Sequence, residues 1–305
     1  MIPLICGAGG FLGRNITDEL DEHGLKYETI NGKRDCNFLD YNKTLNRLSE
    51  VKFDTLVNVS SVVGGIQLNG ELPATLMYDN TVMALNLIRA AITAGCSKII
   101  QIGTVCSYPR VPDKIPFTED CLYNGAADYS NRPYGHAKLC IMDYLDACER
   151  EFGIKHLTLI PTNMFGRYDN YREGSSHVVP AILRKVAKAK ENNEKFITCF
   201  GTGTATRDLL WARDCAEAIL SSLNSVTNEK VINLGTGNEY TIKYIAETIC
   251  NEMDFDGEIR WDTTKPDGQP RRILNIEKAE KELGWRPDTN FITGLKTIIS
   301  NKWYK

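Results

Sequence analysis

Tyr134 and Lys138 stand four residues apart in Tyr134-Gly135-His136-Ala137-Lys138, at the start of a helical run. The i, i+4 spacing places a phenol and an ammonium on one helix face. A neighbouring cation stabilises phenolate, so the phenol can exchange a proton with a carbonyl or alcohol near neutral pH. That is the acid/base chemistry hydride transfer requires. A hydride also needs a carrier, and far upstream Gly7-Ala8-Gly9-Gly10-Phe11-Leu12-Gly13 lies between an apolar run and a helical stretch from Arg14. In that setting Gly7 permits a tight turn, Gly10 lets backbone N–H groups approach a pyrophosphate, and Gly13 lets the helix pack on the strand. The polar turn Asn31-Gly32-Lys33-Arg34-Asp35 offers Lys33 and Arg34 to the 2′-phosphate of NADP(H), with Asp35 and the ribose hydroxyl of NAD as the alternative. Asp40 follows at a place suited to accept from an adenine amino group. Taken singly, either motif also fits a solvated helix or a ligand-free loop.

These residues must be held by a scaffold, and the chain's rhythm predicts one. Strand-like runs at 2–6, 27–30, 54–59, 98–103 and 156–161 alternate with helical patterns, among them 75–94. That alternation predicts an α/β fold, a Rossmann-type doubly wound parallel sheet with a smaller C-terminal α/β substrate lobe. Residues 1–162 form the cofactor domain in this reading and 163–305 the substrate domain, with 208–235 returning to the first through a strand at Val231–Leu234. A helix at 178–190 and a strand at 195–200 belong to the second lobe.

A length of 305 residues suits two domains and a cleft at about 150 residues each. With 36 basic against 39 acidic side chains the net charge is −3, which argues against a nucleic-acid partner. The start, MIPLICGAGGFLG, has no basic leader and no later stretch is apolar enough to span a bilayer, so a soluble cytoplasmic protein without a membrane partner is expected. The 10 cysteines form no CxxC pair and read as reduced thiols, and zinc-ligand spacing is missing, so no metal is expected.

The two motifs together resemble the extended short-chain dehydrogenases, in which a Ser or Thr after the fourth strand is the third member of the set; Thr104 fits that place. Within them the chain is most similar to the GDP-fucose synthases. Val62-Val63-Gly64-Gly65, Gly103 to Pro109, Pro161-Thr162-Asn163-Met164-Phe165-Gly166 with Asp169-Asn170, Ser176 to Ala181, Gly201 to Arg207, Asn233 to Gly237 and Lys265 to Arg271 look like that family's motifs. The resemblance implies an NADPH-dependent epimerase/reductase acting on GDP-4-keto-6-deoxymannose. Cys106 and His177 would be its acid/base pair for epimerisation and Tyr134 its proton donor in reduction. Lys138 would tune the phenol and hold the nicotinamide ribose, and Thr104 would bond the substrate oxygen. It further implies Arg207, Lys185 and Lys265 at the substrate diphosphate, Asn163 at the sugar, and a homodimer joined by helices that include the one starting at Tyr134. Apart from the resemblance, Cys106 reads as an inert buried thiol, His177 as a loop or helix-cap residue and Lys185 as part of a solvated face. A single-function epimerase or ketoreductase on another GDP-hexose or heptose is the alternative, and a non-catalytic dinucleotide-binding protein is a second. The first loop and Thr104 depart from the family's usual GHxG and serine.

Overall fold

The computed structural model describes residues 1–304; the side chain of Lys33 lies outside the described ones. Runs rich in Ile, Leu and Val form parallel strands β1 (Pro3–Cys6), β2 (Glu28–Ile30), β3 (Thr55–Asn58), β4 (Lys98–Ile102) and β5 (Lys155–Pro161). The chain then makes β6 (Asn163–Phe165), β7 (Phe196–Phe200) and β8 (Thr206–Trp211) before β9 (Val231–Leu234) pairs with β5. The six-stranded sheet has the order β2-β1-β3-β4-β5-β9. Both its faces are covered, which is why β1 and β3 are buried along their whole length. The helices of this domain are α1 (Phe11–Glu22), α2 (Gly32–Asp35), α3 (Tyr41–Ser49), α4 (Ile66–Glu71), α5 (Pro73–Thr93) and α6 (Arg132–Phe152). Leu48 of α3, Leu87 and Ile88 of α5, and Ile141 and Leu145 of α6 pack into one core; Ile16 and Leu20 of α1 pack into the other.

From β1 the chain first goes to β2 on one side and then crosses to β3 on the other. The sheet therefore opens between the carboxyl ends of β1 and β3, the place where such sheets receive ligands. Val59 N–H bonds Cys6 O at 3.0 Å just beyond those ends.

The second lobe has β6 and β8 in a three-stranded sheet with β10 (Glu239–Thr241), and a parallel pair of β7 with β11 (Glu258–Asp262). Helices α7 (Val178–Glu191), α9 (Ile242–Glu252) and α11 (Phe291–Ser300) enclose its core. At its centre the Phe165 ring stands edge-on to Trp211 and Phe291, 5.3 and 5.7 Å between centroids.

Two crossings join the lobes. β8 pairs with β6 and β10, yet its Leu210 enters the core shared with α1, as do Cys215, Ala216 and Ile219 of the following α8 (Ala212–Asn224). Later, α10 (Glu277–Leu283) returns as well, carrying Ala279 into that same core beside Trp285. The Trp285 indole N–H donates to Asp214 O at 2.9 Å and fixes this crossing. Among the described residues, no helix is long and apolar enough to cross a membrane, and no group of three or more His, Cys, Asp or Glu side chains could hold a metal ion.

Candidate active site

Gly7 leaves β1 at φ +96°, a left-handed turn that a side chain would strain. The chain then enters α1 with Gly10 as N-cap, with no side-chain cap and no acid in the first turn. The first N–H groups of a 12-residue helix are left facing outward, a site suited to a phosphate. Gly13 brings helix and turn together: a Cβ there would lie 2.2 Å from Gly7 O and 2.7 Å from the Ala8 Cα. Backbone cannot yield as a flexible side chain can, so Gly13→Ala should destabilise the protein by about 1–3 kcal/mol and remove dinucleotide binding. A melting curve with and without cofactor checks both.

At the end of β2, Asp35 turns a carboxylate oxygen back onto the backbone N–H of Asn31, at 2.8 Å. Arg34 beside it is exposed on α2, near Lys43 and Arg47 and outside the main cavity. Asp40 is the N-cap of α3, its Oδ1 accepting from Lys43 N at 3.0 Å. That bond, more than any other cause, holds its carboxyl below the usual range. The structure thus gives Asp40 a capping role and does not bring it into the cavity.

The cavity lies between the lobes, at about 600 Å³, and its wall carries Gly10 to Gly13, Thr104, Cys106, Tyr134, Lys138, Asn163, His177, Lys185 and Arg207. Residues distant in sequence thus meet in one cavity. α6 carries Tyr134, Ala137, Lys138, Ile141 and Leu145 on its buried face and ends at Gly153, φ 71°. It presses against the turn Val105–Ser107 so closely that a Cβ on Gly135 would lie 2.3 Å from Cys106 O. This contact sets the phenol beside the thiol. Thr104 caps the turn, accepting from Cys106 N at 3.3 Å.

Burial pushes the Tyr134 phenol up to about 12, so it is a proton donor at neutral pH. Burial lowers Lys138 to about 8. Its ammonium, 5.9 Å from the Tyr134 ring centroid, donates to Ile102 O at 2.9 Å. His177 occupies the N-cap of α7, but its ring makes no capping bond and is free to face the cavity. Burial, then the charge of Arg272, lowers it to about 4, leaving a neutral imidazole with one donor and one acceptor nitrogen.

Arg207 is buried and is held by three backbone carbonyls, Thr206 O at 2.6 Å, Gln269 O at 2.8 Å and Asp267 O at 3.2 Å. Its guanidinium keeps its proton although burial and Arg272 lower its pKa. Lys185 donates to Thr198 O at 2.6 Å and lies 4.8 Å from the Phe200 ring centroid. Lys265 reaches the same ring at 6.0 Å but is exposed and is not part of the cavity wall. Asn163 directs a buried Oδ1 without a protein partner, an acceptor open to a ligand.

Among the wall residues that sequence reasoning did not single out are Arg272 and Ser61. Arg272 is buried beside Arg207 because the segment Pro270–Arg272 runs along β8, with Thr206 N to Pro270 O at 2.9 Å and Asp208 N to Arg272 O at 2.8 Å. The tandem Arg271-Arg272 was the available signal: in an extended segment, one side chain must turn out and the next in. Arg271 pairs outside with Glu239 at 2.5 Å. Ser61, in the loop after β3, left no comparable signal.

A nucleotide-sized turn, a phenol–ammonium pair and an arginine-lined cleft define a class, and the sequence comparisons agree with it. Residues 3–235 match the NAD dependent epimerase/dehydratase family, and the chain belongs to it. It is 34% identical to a GDP-L-fucose synthase of Sinorhizobium fredii, over 83% of this chain and 82% of the relative. Among solved structures it is similar to a GDP-6-OMe-4-keto-L-xylo-heptose reductase from C. jejuni, with TM-score 0.90, 22% identity and coverage of 98% and 97%. A GDP-L-fucose synthetase from Naegleria fowleri, solved bound to NADP, gives TM-score 0.87 and 24% identity over 99% and 93%. At those identities the structures establish the shared fold.

Proposed function

We propose that this protein is an NADPH-dependent epimerase/reductase that converts GDP-4-keto-6-deoxymannose to GDP-fucose or a closely related GDP-sugar. The observation that carries the reading is the convergence of Cys106, His177 and Tyr134 on one cavity whose wall also carries the buried guanidinium groups of Arg207 and Arg272. Inversion beside a ketone needs a base on one face of the carbon and an acid on the other, and the intervening enolate is stabilised by the carbonyl. Cys106 and His177 supply the two groups. Thr104 bonds the keto oxygen, and Tyr134 passes its proton to that oxygen on reduction, with Lys138 stabilising the phenolate left behind. NADPH, when bound, supplies the hydride. Arg207 and Arg272 carry positive charge that a buried diphosphate would neutralise, with Lys185 beside them, and Asn163 holds the sugar.

NADPH is favoured over NADH because Asp35 is spent on Asn31 while Arg34 stays exposed beside it. Arg34→Ala should raise the KM for NADPH about tenfold, one charge-assisted contact's worth. The KM for NADH should stay where it is, and initial rates with both cofactors check this. We further infer a homodimer across α5 and α6, since α5 leaves Met77 and Tyr78 exposed. The cytoplasm, where NADPH and nucleotide sugars are found, is the expected compartment. The reading is tested by incubating the protein with NADPH and the 4-keto sugar; no turnover of any 4-keto GDP-sugar would overturn it.

A further inference from the structure

Ser61 lies on the cavity wall after β3, and its Oγ is 3.4 Å from the Tyr134 phenol oxygen. The direction of that contact follows from the bonds around it. Ser61 Oγ donates its only proton to Asn80 Oδ1 at 2.6 Å. Asn80, on α5, is fully buried and its amide orientation is fixed: Nδ2 donates to Val62 O at 2.9 Å and Leu76 O at 2.7 Å, and Oδ1 also accepts from Val62 N at 2.8 Å. The side-chain oxygen is therefore an acceptor and Ser61's proton has its place there. What Ser61 turns toward Tyr134 is a lone pair, so the neutral phenol is the donor.

We propose that Ser61, anchored by Asn80, is a positioning residue for Tyr134, holding the phenol's proton before reduction and the phenolate after it. This rests on the reading of Tyr134 as proton donor to the substrate. When the phenol proton passes to the keto oxygen, the phenolate becomes an acceptor. The Ser61 hydroxyl then rotates its proton from Asn80 Oδ1 to the phenolate, and Asn80 Oδ1 keeps its bond from Val62 N. No proton leaves Ser61 and no atom is exchanged. Lys138, its ammonium 5.9 Å from the Tyr134 ring centroid, then supplies the counter-charge, and Ser61 supplies a hydrogen bond to the phenolate. Ser61 takes no part in enolisation, which uses other groups.

The wild type, Ser61→Ala and Ser61→Thr test it, with Tyr134→Phe as the reference for assignment. Reduction is followed by NADPH oxidation, and enolisation by uptake of solvent deuterium at carbons 3 and 5. In parallel, the 13Cζ resonance of Tyr134 in the ligand-free protein is read at neutral pH, identified among the 13 tyrosines by its loss in Tyr134→Phe. Ser61→Ala should slow reduction about tenfold, the worth of one hydrogen bond to a charged group, with deuterium uptake unchanged and the Tyr134 resonance displaced. Ser61→Thr should restore both. A resonance identical in wild type and Ser61→Ala would overturn the proposal, as would equal loss of reduction and deuterium uptake, which would mark Ser61 as a loop brace only. A wild type that reduces no 4-keto GDP-sugar would instead overturn the functional reading, while the resonance would still report on the contact.

Discussion

Cys106→Ser should abolish fixation of solvent deuterium at carbons 3 and 5, lowering epimerisation about 10²–10⁴-fold, the range for a lost general acid or base. A serine hydroxyl fits the space of the thiol but does not ionise near neutrality, so geometry is kept and proton exchange is lost. The Tyr134–Lys138 pair is untouched by the change, and an unepimerised 4-keto sugar should still be reduced, giving a product with the starting configuration at both carbons. His177→Asn should produce the same partition. Its imidazole, lowered to about 4, is neutral through the whole working range, so no acidic limb near pH 6.5 should arise from it. Mass spectrometry and NMR of the product from heavy water check both variants.

Tyr134→Phe should have the converse effect, a fall in reduction of about 10²–10⁴-fold with deuterium exchange retained. Packing is conserved because only one oxygen is removed from a buried ring. The pH dependence of wild-type reduction follows from its two neighbours in the cavity. Tyr134 keeps its proton up to about 12, so loss of the donor's own proton cannot limit the rate near neutrality. Lys138 is lowered by burial to about 8 and is charged below that value. The phenolate formed in the step loses its counter-charge as Lys138 deprotonates, so reduction should decline as pH rises through about 8. A pH–rate profile of the 4-keto sugar at saturating NADPH reads this limb, and a profile flat to pH 10 would contradict it.

Much of this site could be read in the sequence because its parts are local motifs on regular elements. The glycine turn and the Tyr134–Lys138 spacing each carry their geometry within a single strand–turn or helix, and the strand signals for β1, β3, β4 and β5 are short runs dominated by Ile, Leu and Val. β8 was less visible: its sequence TRDLLW opens with three polar residues, two of which are buried for long-range reasons. Arg207 is fixed by the carbonyls of the distant segment 267–269, and Asp208 accepts from Thr236 N at 3.0 Å and Thr236 Oγ1 at 2.7 Å. Ser61 is of the same kind, since what makes it a partner of Tyr134 is Asn80 on another helix. Asp40 and Lys265 teach the opposite lesson. Each lies next to a motif in sequence, yet one caps a helix and the other stays in solvent, because proximity along the chain fixes a side chain's neighbourhood but not the face it takes.

The central claim, that one cavity both epimerises and reduces, is tested most directly by mass spectrometry of the product formed by the wild type from NADPH and GDP-4-keto-6-deoxymannose in heavy water. The account predicts a reduced sugar with solvent deuterium fixed at both carbon 3 and carbon 5. A reduced sugar with no fixed deuterium would contradict it, leaving a simple ketoreductase in which Cys106 and His177 are structural residues.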